Sequence, residues 1–183
     1  MRDQLLDAVE RLLVKDGVDA VRLDAVAAEA GVSKGGLLHH FPNKRALVQG
    51  VVERLADRFE SVLPGPDAPA GAYSLAWLEA SIPPESPTGD VSGADQVPVS
   101  LLAAAGGPEV LDVLRERYLG WQRRLTEDGI DPAVATLVRM AVDGWWSARL
   151  MDLSPPHDGL HRGLRKLLVN LIRDNVPDNG GEI

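Results

Sequence analysis

Apolar residues recur at helical spacing along most of the chain. In RDQLLDAVERLLVKD, residues 2–16, Leu5, Leu6, Val9, Leu12 and Leu13 share one face with charges opposite, and Gly17 stops the pattern. This predicts an amphipathic helix with a glycine stop. The alanine-rich stretch LDAVAAEA, residues 23–30, places Leu23, Val26, Ala27 and Ala30 on one side and ends at Gly31, predicting a second, short helix. Ser33 is a natural N-cap for a third helix from Lys34 to about His40, which Pro42-Asn43 breaks. A fourth starts near Lys44 and continues through Ala46, Leu47, Val51, Leu55, Phe59 and Val62 to the stop at Pro64-Gly65-Pro66.

Beyond that stop, a short apolar stretch around Tyr73, Leu75, Trp77 and Leu78 predicts a fifth helix. Residues 83–97, rich in Pro, Ser, Gly and Asp, read as an irregular loop, and residues 98–105 as a short helix. Pro108 opens a longer helix through Leu111, Leu114, Tyr118, Trp121 and Leu125, and Pro132 opens another that is apolar on more than one face. The last runs from about Asp158 to Asp174. No alternating strand pattern of useful length occurs, so the predicted fold is all-α.

Composition narrows the function. With 45% hydrophobic and 25% charged residues among 183, the chain reads as globular. The lack of cysteine excludes disulfides and thiol chemistry and fits a reducing cytoplasm. Neither a membrane span nor a secretory leader is expected. The net charge of −8 argues against a nucleic-acid partner until it is mapped. Residues 1–50 hold seven basic side chains (Arg2, Arg11, Lys15, Arg22, Lys34, Lys44, Arg45) and seven acidic ones, so the whole excess lies in residues 51–183. Between Glu29 and Glu53 there is no carboxylate, and Lys34, His39, His40, Lys44 and Arg45 fall in that gap. Such asymmetry suits a head that tolerates a polyanion and an acidic body that avoids one.

The carboxylate-free stretch coincides with the third helix. A short helix, a Gly-Val-Ser turn and a second short helix make a helix-turn-helix, with Gly31 at a positive-φ position and Val32 filling the angle. In that motif the second helix enters the DNA major groove. The candidate DNA-binding residues are Arg22, Ser33, Lys34, Gly35, Gly36, His39, His40 and Lys44. Lys34 and Lys44 are expected on phosphates. Gly35 and Gly36 are poor helix formers, at a cost of about 1 kcal/mol each, whose presence suits close backbone approach to DNA. The two histidines are expected on different sides of the helix, and Val32, Leu37 and Phe41 in a small core.

AVAAEAGVSKGGLLHHFPNKRALV, residues 25–48, resembles the tetracycline-repressor family of bacterial transcriptional regulators: an alanine-rich helix, AGVS, a short helix ending in an aromatic, then F-x-x-K-x-x-L. The likeness covers roughly residues 2–60. The chain departs from the pattern at Val21-Arg22, where a hydroxyl residue commonly opens the second helix, at Leu38, where a Tyr usually contacts phosphate, and at Gly36.

The resemblance implies a helix-turn-helix domain over residues 1–48 and a helical domain over 49–183 with an effector pocket and a dimer interface. Tyr73, Trp77, Tyr118, Trp121, Arg139, Met140 and Asp143 are candidate pocket residues. Leu137, Trp145, Trp146, Leu164, Leu168 and Leu171 are candidates for the interface, which the family builds from the last two long helices. The implied function is a ligand-responsive regulator, a repressor released from a palindromic DNA operator by a small molecule, acting as a homodimer without cofactor or membrane. Two other readings compete. A metal-dependent helical enzyme is suggested by His157 and His161, four apart around Asp158, but no third ligand or catalytic Glu accompanies them. A dimeric interaction module would leave the carboxylate-free helix without a role.

Overall fold

The computed structural model describes residues 1–82, 84 and 106–177, and every regular element among these is helical. They are α1 (Arg2–Asp16), α2 (Leu23–Glu29), α3 (Lys34–His40), α4 (Lys44–Ser61), α5 (Ala72–Ser81), α6 (Pro108–Thr126), α7 (Pro132–Leu150) and α8 (Asp158–Arg173). A 3₁₀ turn over Val18–Ala20, which no periodicity announces, links α1 to α2. The loop expected over 83–97, apart from Pro84, and the short helix expected over 98–105 lie outside the described residues. Packing divides the chain into two units: Met1–Arg58 with the described part of Asp95–Arg117, and the described parts of Phe59–Ala94 and Tyr118–Ile183.

In the first unit α1 packs on α2, and α2 on α3. Leu5, Leu6 and Val9 of α1 are buried together with Val26, Leu37, Phe41, Leu47 and Val51, so the apolar stripes of four helices close on one core. Polar ties fix the arrangement. Gln4 Nε2 donates to the Ala30 carbonyl (2.8 Å) and Arg11 Nε to Glu29 (2.6 Å), joining α1 to α2. Arg54 of α4 reaches back to Asp7 (2.7 Å) and Glu10 (2.5 Å) of α1. Gly50 is required by proximity: a Cβ there would stand 2.9 Å from Cε1 of Phe41. The first turns of α6 attach to α4 in this unit through an Arg45–Glu109 ion pair and a 2.6 Å Arg117–Asp57 pair.

In the second unit α5 packs against α7 and α8, which pack on each other. Asp131 caps α7 by accepting from the amide of Ala133 (2.7 Å), with Pro132 in the first turn. Inward positions on α7 are Ala135, Val138, Val142 and Trp145, and on α8 His161, Leu168 and Ile172. The indole Nε1 of Trp145 donates to Nδ1 of His161 at 3.3 Å, which gives the buried imidazole a structural use. His157 instead stands exposed at the N-cap of α8, so the histidine pair is split between surface and core. Among the described residues no group of three His, Asp or Glu side chains could hold a metal ion, and no helix is long and apolar enough to cross a membrane.

Candidate functional site

The turn between α2 and α3 is built from backbone bonds that its sequence permits. Gly31 takes φ +67°, its amide donates to the Ala28 carbonyl (3.1 Å), and the Val32 amide donates to the Ala27 carbonyl (2.9 Å). Both bonds together form a Schellman end, which satisfies the last carbonyls of α2 and turns the chain. Ser33 then opens α3, its Oγ accepting from the Gly36 amide at 3.1 Å. Leu37 points inward and is fully buried, whereas Val32 is only half-buried, so it rims the small core rather than filling it.

The opposite face of α3 is open: Lys34, Gly35, Leu38, His39 and His40 are exposed. Arg22, at the N-cap of α2, and Lys44, in the first turn of α4, are exposed as well. Asn43, which with Pro42 ends α3, also caps α4 by accepting from the Ala46 amide (2.9 Å). Two corrections concern charge and direction. Lys34 is paired with Asp24 at 2.9 Å, so the helix that lacks carboxylates in sequence has one beside it in space. The rings of His39 and His40 meet edge to face with centroids 5.3 Å apart, where separate sides of the helix were expected.

Nothing inside the protein demands glycine on this face. A Cβ at Gly35 would meet only Ser33 Oγ at 4.0 Å, one at Gly36 would meet the same atom at 3.4 Å, and neither residue has positive φ. The helix therefore carries two unfavourable residues, about 1 kcal/mol each against alanine, that its own packing does not explain.

The second unit gathers most of the expected pocket residues. Trp77 lies at the centre of an aromatic cluster, with ring centroids 4.7 Å from Phe59, 5.4 Å from Trp121 and 6.4 Å from Tyr118. Tyr118 donates its hydroxyl to Asp143 (3.1 Å), Arg139 donates to the other Asp143 oxygen (2.6 Å), and Arg139 Nε also donates to Gln122 (2.5 Å). Burial raises the Tyr118 pKa, with the negative charge of Asp143 adding to the effect. Burial also raises that of Asp143, against the opposing pull of Arg139. Tyr73, one turn before Trp77, is buried beneath the Arg124 guanidinium, which lies 4.1 Å from its ring centroid. Phe59, Gln122 and Arg124 were missed by sequence reasoning: Phe59 falls at the end of a helix whose pattern already explained it, and the other two look like ordinary surface positions.

Three expectations for the body are corrected. Met140 is 59% exposed on the same stripe of α7 as Leu137, where a place in a buried pocket is expected. Trp145 and Leu168, expected at an interface, are buried within the unit at 4% exposure. The reason is that α7 carries two apolar faces and α8 one apolar face wide enough to run from core to surface, so periodicity does not say which positions turn inward. On α8 the outward set is Leu160, Leu164, Leu167 and Leu171, exposed or half-buried.

Residues 5–51 match the family of bacterial regulatory proteins of the tetR type, and residues 71–173 match the tetracycline-repressor-like C-terminal domain. The chain is 33% identical over 117 residues to the HTH-type transcriptional regulator AlkX of Mycobacterium tuberculosis, an alignment covering 62% of this chain and 53% of that protein. It thus spans about half the length of this curated relative. Among solved structures, a transcriptional regulator from Rhodococcus sp. superposes with a TM-score of 0.71 at 20% identity, covering 97% of this chain and 98% of that one. One from Saccharomonospora viridis, in complex with choline, gives 0.68 at 22% identity, with 96% of each chain covered. At these identities the structural likenesses establish the fold.

Proposed function

The chain belongs to the tetracycline-repressor family of bacterial regulatory proteins, and from this premise we propose that it is a ligand-responsive DNA-binding transcriptional regulator, a repressor acting in the cytoplasm as a homodimer. Residues 1–48 read the operator, and residues 49–183 sense the effector and dimerise. The observation that carries the reading is the outer face of α3, exposed along its length, presenting Lys34 and His39 beside a backbone that Gly35 and Gly36 leave bare. Phosphates are met by Arg22, Lys34 and Lys44, and base edges by the α3 side chains that reach the groove floor.

Two heads related by a dimer axis require two half-sites about one DNA turn apart, roughly 34–36 Å, and hence a near-palindromic operator. A small molecule that prefers a body conformation in which the heads are wrongly spaced lowers DNA affinity by its differential affinity for the two states. Enrichment of bound DNA from a random pool tests the reading. A palindrome with one-turn half-site spacing is expected, and a pool that yields no enriched sequence overturns it.

A further inference from the structure

Three polar side-chain atoms in one stretch of α5 are buried without a hydrogen-bond partner among the described residues: Tyr73 Oη, Ser74 Oγ and Trp77 Nε1. An unmet buried polar group is destabilising, and native proteins leave few of them. Ser74 can turn its hydroxyl to a carbonyl of the preceding turn, so the weight falls on the other two.

The helix cannot relieve them by shifting. Asp128 accepts from the amides of Tyr73 (3.0 Å) and Ser74 (2.7 Å), and its own carbonyl accepts from Gly71 (2.8 Å). At Gly71, φ is +77° and a Cβ would come within 2.8 Å of Val176. The start of α5 is therefore clamped, with Tyr73 and Trp77 on one face.

We propose that these groups are the recognition elements of the effector site, and that the effector is a planar arene carrying a hydrogen-bond acceptor oxygen, neutral or anionic, rather than an organic cation. The proposal rests on the reading of the body as a sensor and supplies the ligand chemistry. An indole N–H can only donate, so the ligand must offer Trp77 an acceptor, and the Tyr73 hydroxyl can donate to the same or a neighbouring oxygen. Around Trp77 the rings of Phe59, Tyr118 and Trp121 leave an environment that favours a flat apolar body in edge or offset contact. These rings are in contact with one another, so the ligand enters by displacing one of them.

The charges nearby are mixed, so the unpartnered donors Tyr73 Oη and Trp77 Nε1 set the ligand class. Asp128 is engaged by the α5 amides, Asp143 by Tyr118 and Arg139, and Glu60 by the indole of Trp121 (2.9 Å). The cation at Tyr73 is Arg124, which is also held by the Pro64 carbonyl. An acceptor oxygen is thus drawn to the site by hydrogen bonding, with the Arg124 guanidinium beside Tyr73 adding to it.

The test uses the full chain and four naphthalene probes of similar shape: 2-naphthoate, 2-acetonaphthone, naphthalene, and trimethyl(naphthylmethyl)ammonium, titrated by tryptophan fluorescence and thermal shift. The two oxygen-bearing probes should bind at least tenfold more tightly than the other two. Tyr73→Phe should leave the Tm of the free protein unchanged or higher, because it deletes an unpartnered atom, while weakening 2-naphthoate about fivefold to thirtyfold. Ser74→Ala should leave the Tm unchanged or higher too. The inference is overturned if the cation binds most tightly, if naphthalene equals the oxygenated probes, if none binds at millimolar concentration, or if Tyr73→Phe lowers the Tm without changing affinity. DNA selection needs no ligand, so a recovered operator would survive each of those failures, and its absence would count against the regulator reading instead.

Discussion

Asp24 Oδ1 lies 2.9 Å from Nζ of Lys34, which brings a carboxylate from α2 onto the outer face of α3. Both side chains are more than half exposed, so the pair is worth at most about 1 kcal/mol to the fold. Its larger effect falls on the proposed DNA contact, because a phosphate approaching Lys34 must displace or face Asp24.

Asp24→Asn should therefore raise DNA affinity up to about fivefold at low salt, the factor that corresponds to releasing a pair of that strength, with the Tm little changed. Fluorescence anisotropy against the selected operator measures it. Unaltered or weaker binding would show that Asp24 does not restrain Lys34 against DNA.

Gly35→Ala separates stability from function. The added methyl meets nothing closer than Ser33 Oγ at 4.0 Å, and alanine favours a helix over glycine by about 1 kcal/mol. The variant should melt higher than the parent and bind operator more weakly, because the methyl would stand between backbone and DNA. A variant that is more stable and binds equally well would remove the close-approach argument.

Lys44→Ala should weaken binding to operator and to unrelated duplex alike, and should reduce the slope of log affinity against log salt by about 0.9 for the phosphate lost from each head, about 1.8 for a dimer on its operator. An unchanged slope would take Lys44 off the DNA.

How much of this was legible in the sequence follows from what each signal depends on. Helix ends set by local chemistry, such as Gly17, Ser33, Pro108 and Pro132, are where the sequence indicates, because caps and stops act within a turn. The helix-turn-helix was readable for the same reason: Gly31 and Ser33 dictate the bend locally. Contacts between distant residues were not readable. Asp24 meets Lys34 only after the bend forms, and Asp128 finds the amides of Tyr73 and Ser74 across more than fifty residues. Met140 and Trp145 were misassigned because two apolar faces on one helix carry the same 3.6-residue signal, whichever of them faces the core.

Asp143 gives a pH prediction whose sign follows from its surroundings. Its folded pKa is raised, chiefly by burial, so the folded state holds the proton more tightly than the unfolded chain does. Its contribution to stability is then fully present below the ordinary carboxylate range and is lost as pH rises through the raised folded value. Asp143→Asn mimics the protonated group. The stability of the parent relative to this variant, from urea midpoints, should fall between acidic and neutral pH. A rise would mean that the Arg139 pair outweighs the burial.

The outward stripe of α8 supplies the test of assembly. Leu160 and Leu167 are 70% and 64% exposed, and Leu137 and Met140 on α7 are 54% and 59% exposed, whereas the inward partners on the same helices are buried. Exposed apolar stripes on two helices that pack on each other are what a second copy would cover, by an interface in which each stripe meets its own image. Leu167→Glu places a charge in the middle of that stripe without touching the core formed by His161, Leu168 and Ile172. In sedimentation equilibrium at micromolar concentration the parent should give the mass of a dimer and the variant that of a monomer. Val62→Glu, at another exposed apolar position (62%) just past the end of α4, should remain dimeric. Operator affinity should fall in the Leu167 variant through loss of the second half-site, while affinity for an isolated half-site stays the same. A dimeric Leu167→Glu would move the interface elsewhere and leave the exposed leucines of α8 to be covered by something other than a second copy of this chain.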